Sequence, residues 1–323
     1  MTHVLIVVLA YFLDKWMGDP KHLPHPVRWM GSFIGFLESK WNRNRYQTSL
    51  GFLMLITVSV VFTASAMILV YVSYRLHFVF GIVVEMALLT FMIAEKSLKD
   101  AAMDVYEPLS QNQLPQAREK LSWIVGRDTE TLTEGEIVRG TVETVAENTS
   151  DSVIAPLFWA FIGGAPLAVL YRVANTADAM VGYTSPKYRQ FGYAAAKWDD
   201  FLNYIPSRLT AVLMIFVNRS DQTKRQCFRL LKRDAKKHPS PNSGFPETAM
   251  AALLGIQLGG TNTYKGIISK RARLGDALKA LKAVHICESV RMMQRTNTSF
   301  VLGGGIVGMA VAWIQSFLFI SIS

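Results

Sequence analysis

GFLMLITVSVVFTASAMILVYVS, the centre of residues 50–74, decides the architecture of this chain. Arg45 and Arg75 enclose 29 residues without a charge. An α-helix rises about 1.5 Å per residue, so a run of that length crosses the roughly 30 Å hydrocarbon core of a bilayer. Moving outward, residues 76–94 (LHFVFGIVVEMALLTFMIA) form a second span whose one carboxylate is Glu85, and residues 299–320 a third, inside 28 uncharged residues that follow Arg295. An intramembrane carboxylate is a functional candidate by default, or else is paired or protonated. Gly304 and Gly308 put a small-xxx-small face on the third span, suited to close helix packing. Residues 4–13 read as a retained first helix, since no basic residue precedes them and no small-residue cleavage site follows.

The whole composition agrees. Of 323 residues 50% are hydrophobic and 18% charged, where soluble domains carry about 25% charged residues. The net charge of +10 is concentrated: residues 218–298 hold 16 Lys/Arg against 5 Asp/Glu. A basic loop between apolar spans is what the positive-inside rule places in the cytoplasm. Nucleic-acid binding is disfavoured, because no helix-turn-helix, zinc-finger or aromatic RNA-binding signature accompanies the charge. Cys227 and Cys287 are too few for a disulfide framework and lack metal-site spacing. The fold class is therefore all-α: a polytopic integral membrane protein of about four to six membrane-embedded helices plus amphipathic cytoplasmic helices. It reads as one membrane-embedded domain over 1–323, with polar site-forming regions at 95–151, 172–205 and 219–298 and breaks at Pro108, Pro115 and Gly126.

Two segments leave the crossings open. Residues 152–171 carry Pro156, Gly163, Gly164 and Pro166, which can break a span into half-helices. Residues 209–218 are too short to cross unless 204–208 join them. If both cross, 172–205 lies outside; if neither does, it lies with the basic loop.

Several polar clusters stand at the edges of these spans. Glu143, Glu147 and Asp151 recur at i, i+4 and i+8 with Arg139 one turn earlier, so on a helix they share a face. Hard carboxylate oxygens suit Mg²⁺ held together with substrate phosphates; a solvated face with Arg139 pairing Glu143 is the competing reading, and neighbouring Asn148 and the apolar run tilt toward a metal or phosphate site. Arg172, Asn175 and Asp178 make a polar stripe, with either a lined cavity or a hydrogen-bonded helix contact as its meaning. Asp199 and Asn203, adjacent Asp200 and Arg208 resemble a metal–phosphate arrangement or an acidic helix start. The prolines of GDPKHLPHPVRWMG stiffen a loop carrying Asp19, His25 and Arg28. HPSPNSGFPE presents Asn242, Ser243 and Gly244 in a turn able to offer N–H groups to an anion, followed by Glu247. No Walker phosphate loop, nucleophile elbow or H-E-x-x-H exists in the chain. The histidines 3, 22, 77, 238 and 285 share no ligand spacing and receive no role.

In order along the chain, GDPKHLPHPVRWMG (18–31), WIVGRDT (123–129), ETVAENTSDSVIAPLFW (143–159), NTADAMVGY (175–183), DDFLNYIPSRL (199–209), SPNSGFPE (240–247) and GIQLGG (255–260) resemble the adenosylcobinamide-phosphate synthase family of cobalamin biosynthesis. The chain departs from that family's pattern at Thr184, Ser185 and Pro186 and at Ala252 and Leu253. The resemblance implies a multi-pass enzyme of the bacterial inner membrane that joins an aminopropanol phosphate to adenosylcobyric acid through an amide bond, with ATP and Mg²⁺. It implies the bilayer and other late cobalamin-pathway enzymes as surroundings, and it requires 172–205 on the same side as 95–151 and 219–298. On residue type, Glu143, Glu147, Asp151, Asp199 and Asp200 then supply metal ligands or a base, with Glu147, Asp151 and Asp199 foremost for metal. Arg28, Arg127, Lys187 and Arg208 neutralise phosphates, while Asp19, His25, Asn148, Asn175, Asp178, Asn203, Asn242 and Glu247 bind or orient substrates. A sensory or regulatory paralogue, a corrinoid-binding protein and a transporter are the rival readings. None of the three makes a covalent product while consuming ATP.

Overall fold

The computed structural model describes residues 1–18, 25–43 and 45–320, the side chains of 316–320 excepted. The chain divides into two compact units: residues 1–94, 155–203 and 301–323, and residues 95–154 and 204–300.

The first unit holds α1 (Thr2–Met17), α2 (Pro26–Trp41), α3 (Gln47–Leu76) and α4 (Phe78–Met92), then α8 (Ala155–Val181) and α9 (Tyr193–Leu202). His77 separates α3 from α4 because its backbone is extended, and its Nδ1 accepts the Val79 N–H to start the next helix. Close packing relies on small residues. A Cβ on Gly51 would lie 1.9 Å from the Phe191 carbonyl oxygen. At Gly304 it would meet Phe161 at 2.8 Å and at Gly308 it would meet Val4 at 2.9 Å, so the small-residue face of the last span is a packing face. The expected interruption of 152–171 falls at Gly163 and Gly164, both non-helical, with Gly164 at φ +68° where only glycine is comfortable. Glu85 proves to be paired: it accepts from the Tyr74 hydroxyl at 2.8 Å and faces His3 at 3.5 Å.

The second unit holds α5 (Glu95–Ser110), α6 (Leu114–Ser122), α7 (Glu134–Asn148), a π-helical turn (Thr149–Ile154), α10 (Tyr204–Val217), α11 (Lys224–Asp234) and α12 (Gly244–Leu254). Its core is one apolar cluster, with Val105, Leu121, Val142, Met214 and Leu253 from these helices and Met293 from the final one. Pro108, expected as a break, sits inside the end of α5, and Pro115 lies in the first turn of α6, where its missing N–H costs nothing. A hairpin corrects the all-helical expectation locally: β1 (Leu258–Tyr264) pairs antiparallel with β2 (Ile267–Leu274). Lys265 and Gly266, at φ +50° and +76°, form its two-residue turn, and the Asp128 carboxylate accepts both of their N–H groups at 2.9 Å.

The final helix, α13 (Val284–Ile320), starts well before residue 299 and belongs to the second unit up to Phe300 and to the first beyond it. Among the described residues four helices are long and apolar enough to cross a membrane, at Gln47–Leu76, Phe78–Ser110, Glu134–Val181 and Val284–Gln315. The bent pair α9 and α10 would make a fifth, so 209–218 does join the residues before it. The protein is a multi-pass membrane protein.

Candidate functional site

Residues from five of the sequence blocks converge in the second unit. Helix α7 begins with a capping box in which Thr133 and Glu136 satisfy each other's groups, and this fixes the register of its inward face. Glu143 on that face has both oxygens occupied. Arg127 of the WIVGRDT block donates to Oε2, and the Gly259 N–H of GIQLGG donates to Oε1 at 2.8 Å. Arg139 stands 4.0 Å from the same carboxylate, so the Arg139–Glu143 pairing is the longer of two. Both guanidiniums also donate to Asn262 Oδ1, at 2.9 Å from Arg127 and 2.8 Å from Arg139. Glu143 therefore anchors the hairpin to α7, with each of its oxygens accepting from a protein donor.

Glu147, one turn further, is placed differently. Its Oε1 accepts the Ser243 hydroxyl at 2.8 Å, and its side chain is half-buried. Ser243 belongs to the proline-rich turn, which Ser240 organises by accepting the N–H groups of Asn242 and Ser243, both at 3.2 Å. Asn242 Oδ1 in turn accepts from Ser207 at 3.3 Å and from Arg208 at 3.1 Å. The Arg208 guanidinium stacks 3.6 Å from the Tyr204 ring centroid and 4.2 Å from that of Phe245, a preorganised cation on an aromatic bed.

His238 and Glu247 complete the set. Their side chains are 7% and 5% exposed, with Nε2 and Oε1 3.6 Å apart. His238 Nδ1 lies 3.1 Å from the Ser240 N–H and 3.3 Å from the Ser240 carbonyl oxygen, so the turn fixes the ring with Nε2 facing Glu247. Burial, then the charges of Glu143 and Glu147, push the Glu247 carboxyl well above the usual carboxylate range. Burial likewise holds His238 below the ordinary imidazole value. Both shifts favour the uncharged forms. The sequence offered no sign of His238, because the turn that brings it to Glu247 is not periodic. Asn148 is used locally, donating to the Thr144 carbonyl at 3.0 Å and accepting from Ser152 at 2.8 Å, and Asp151 lies half-buried in the π-helical turn.

In the first unit the polar stripe is a hydrogen-bonded contact. Arg172 donates from Nε to the Met92 carbonyl at 3.1 Å and from Nη1 to Asn175 at 3.4 Å, capping the end of α4. Asp199, 8% exposed, accepts from Asn175 at 3.4 Å and from Asn203 at 3.0 Å, while Tyr171 donates to Asn203 at 2.9 Å. Asp178 is half-buried on the same helix as Arg172 and Asn175. Asp200 pairs with Lys197 at 3.2 Å and Lys187 with Glu38 at 2.9 Å, the latter lysine exposed. His25 caps α2 by accepting the Val27 N–H at 3.2 Å, and Arg28 is exposed on its first turn. Asp19 lies outside the described residues. Among the described residues no group of three His, Cys, Asp or Glu side chains is gathered closely enough to hold a metal ion alone. Mg²⁺ is commonly held by one or two carboxylates plus substrate phosphates, and Glu147, with one oxygen unclaimed by protein donors, fits that pattern.

Fold and site together define a polytopic membrane protein whose polar unit concentrates carboxylates and guanidiniums around glycine- and proline-built turns. The sequence profile of the CobD/CbiB protein family matches residues 7–293, and the chain belongs to that family of cobalamin biosynthesis proteins. It is 53% identical over 302 residues to the cobalamin biosynthesis protein CobD of Halalkalibacterium halodurans, covering 93% of this chain and 95% of that one. The CobD of Clostridium perfringens is 41% identical over 95% of this chain and 96% of its own length. The cobalamin biosynthesis protein CbiB of Salmonella typhi is 40% identical over 91% and 94%. No solved structure matches the chain.

Proposed function

We propose that this protein joins an aminopropanol phosphate to the side-chain carboxylate of adenosylcobyric acid, consuming ATP and giving the amide adenosylcobinamide phosphate, in the bacterial inner membrane. Membership of a cobalamin biosynthesis family supports the pathway. The observation that carries the chemistry is Glu147: a half-buried carboxylate fixed through one oxygen by Ser243, with the other free of protein donors, in a unit rich in fixed cations.

A carboxylate does not react with an amine at neutral pH until an oxygen is turned into a leaving group. In this reading the corrin carboxylate takes the terminal phosphoryl group of ATP and ADP departs. The amine then attacks the carbonyl carbon and phosphate leaves with its bonding electrons. The proton shed by the ammonium passes to Glu147, or to Asp151 one turn away. Mg²⁺, when bound, supplies charge neutralisation on the phosphate oxygens, and Glu147 and Asp151 are the residues that would hold it. Arg208, stacked and hydrogen-bonded to Asn242, offers fixed positive charge to phosphate, which costs no reorganisation during the reaction. Asn242 orients that guanidinium, and Glu143 with Arg127 holds the hairpin that frames the unit. Asp178 is assigned the orienting of substrate, and Asp199, held by Asn175 and Asn203, the metal-ligand or base role that its residue type suggests.

The purified protein in liposomes, supplied with adenosylcobyric acid, aminopropanol phosphate, ATP and Mg²⁺, should show a corrin mass gain equal to amide formation and strictly dependent on ATP. Glu147→Gln should lower that rate by about 100-fold without moving the melting temperature, the size of a lost acid–base group. Full activity in the variant removes Glu147 from the mechanism. Corrin binding by folded protein without product would assign a binding or regulatory role instead.

A further inference from the structure

We propose that a cleft in the second unit, between the start of α7 and the base of the hairpin, binds the phosphate group of a phosphorylated substrate through Arg139, Arg273 and Lys279. The cleft has a volume of about 500 Å³, within the usual range for small-molecule sites. Three cations line it against one acid, Glu136, and that acid is engaged by the Thr133 N–H and hydroxyl, both at 2.8 Å. Lys279 meets Asp221 at 2.6 Å, but the aspartate is 82% exposed and is not part of the lining. A binding phosphate displaces only a weak surface pair there.

The buried charges behind the cleft point the same way. Arg127 and Arg139, with side chains 7% and 11% exposed, share the carboxylate of Glu143, and Glu136 is the other acid whose charge reaches Arg139. Arg139 spends its terminal nitrogens on the Gly259 and Thr261 carbonyls and on Asn262, yet its buried Nε has no hydrogen-bond partner. A buried donor without a partner is costly, and an approaching phosphate oxygen would satisfy it. Gly260 supplies the approach. The strand register jumps across it, so it bulges from the ladder at φ +93°, and a Cβ there would stand 3.0 Å from Arg139 Nη1. Glycine at this bulge lets backbone, guanidinium and ligand share one small space.

Guanidinium forks and a lysine point charge match phosphate oxygens in particular. The identity of the ligand rests on the ligase reading, which calls for two phosphorylated substrates: a nucleoside triphosphate and an amino-alcohol phosphate ester. The test uses the full chain in detergent micelles and calorimetric titration with the Mg²⁺ complex of a non-hydrolysable ATP analogue and, separately, with aminopropanol phosphate. Arg273 and Lys279 are exposed, so the Arg273→Gln/Lys279→Gln double variant is expected to fold. It should bind one or both probes at least about tenfold more weakly, and the probe affected names the phosphate that the cleft holds. Lys232→Gln, an exposed lysine on α11 outside the cleft, should bind both as the natural chain does. Natural-chain affinity of the double variant for both probes, or no binding of either probe to the natural chain, overturns the cleft. Product formation is read separately. No product, with binding that still depends on Arg273 and Lys279, removes the ligase reading and keeps the cleft; product with indifferent binding does the reverse.

Discussion

The two units solve opposite solvation problems. In the first, α3 leaves Ile56, Val60, Ile68 and Tyr71 more than half exposed, and an 18-residue stretch of this helix is only 22% buried. In the second, comparable side chains such as Leu121, Val142 and Met293 are fully covered. Water rewards burial of apolar area, so the second unit holds together by its core. Lipid gives no such reward, so the first unit depends on small-residue contacts at Gly51, Gly304 and Gly308 and on polar clasps. Glu85 with Tyr74 and His3 is one, and Arg172 on the Met92 carbonyl is another. The same residue types thus carry different meanings. A buried arginine in the first unit closes a helix end, whereas the buried arginines of the second gather around a carboxylate and a cleft.

The largest expected effect attacks that gathering. Arg127→Met strands the buried Glu143 carboxylate with Arg139 only at 4.0 Å, and should destabilise the second unit by about 3–5 kcal/mol. Adding Glu143→Leu removes the stranded carboxylate but also takes from Arg139 its partner at 4.0 Å, so it should recover only part of the loss. Denaturant titration followed through tryptophan fluorescence measures both. No recovery in the double variant means that the hydrogen bond from Gly259 matters more than the charge.

The next effect tests the contrast in solvent directly. Ile68→Asp on α3 and Leu278→Asp in the second unit replace side chains that are each 63% exposed. The first puts a carboxylate into hydrocarbon and should cost insertion about 3 kcal/mol; the second should stay within about 0.5 kcal/mol. The membrane-integrated fraction on expression reads the difference. Equal tolerance of both would mean that α3 does not face lipid.

The membrane architecture was legible in the sequence because hydropathy is a local property. The 50–74 and 76–94 runs are helices, and the interruption of 152–171 falls on two of the four residues expected to cause it. The start of α13 at Val284 was not legible, because its first turns are polar and become helical by packing Ile286, Val290 and Met293 into the core. The hairpin was hidden for a related reason: β1 is rich in Gly and Thr and β2 in basic residues, and neither alternates cleanly. Within the site, Glu147, Asn242, Arg208 and Glu247 stood out by type. Their pairings did not, since Ser243 on Glu147, Arg127 on Glu143 and His238 beside Glu247 are tertiary contacts that no spacing announces.

A smaller effect separates two buried carboxylates of the second unit by pH. Asp234 is 1% exposed; burial pushes its carboxyl up, but Arg233, Lys237 and the Gly275 N–H together outweigh this and bring it down to about 2. Its folded value lies below its unfolded one, so its contribution is complete above about pH 4 and disappears as pH falls through 2. The shift corresponds to about 2 kcal/mol. Asp234→Asn should lower stability at neutral pH by about that amount and flatten the acid limb of the stability curve. An unchanged limb would show that other carboxylates govern acid unfolding.

Glu247 should do the opposite and by the least. Its folded value is raised by burial and by Glu143 and Glu147, so the stability it lends is complete below the ordinary carboxylate value and is lost as pH rises through the raised one. Glu247→Gln keeps the shape and polarity of the neutral carboxyl and cannot ionise. At low pH the variant and the natural chain should melt together. With rising pH the natural chain should fall away while the variant holds its melting temperature, the reverse of what losing a stabilising charge would do. A variant that is less stable than the natural chain at high pH would mean that Glu247 is ionised there and paired with His238 as an ion, and the neutral pair would have to be abandoned.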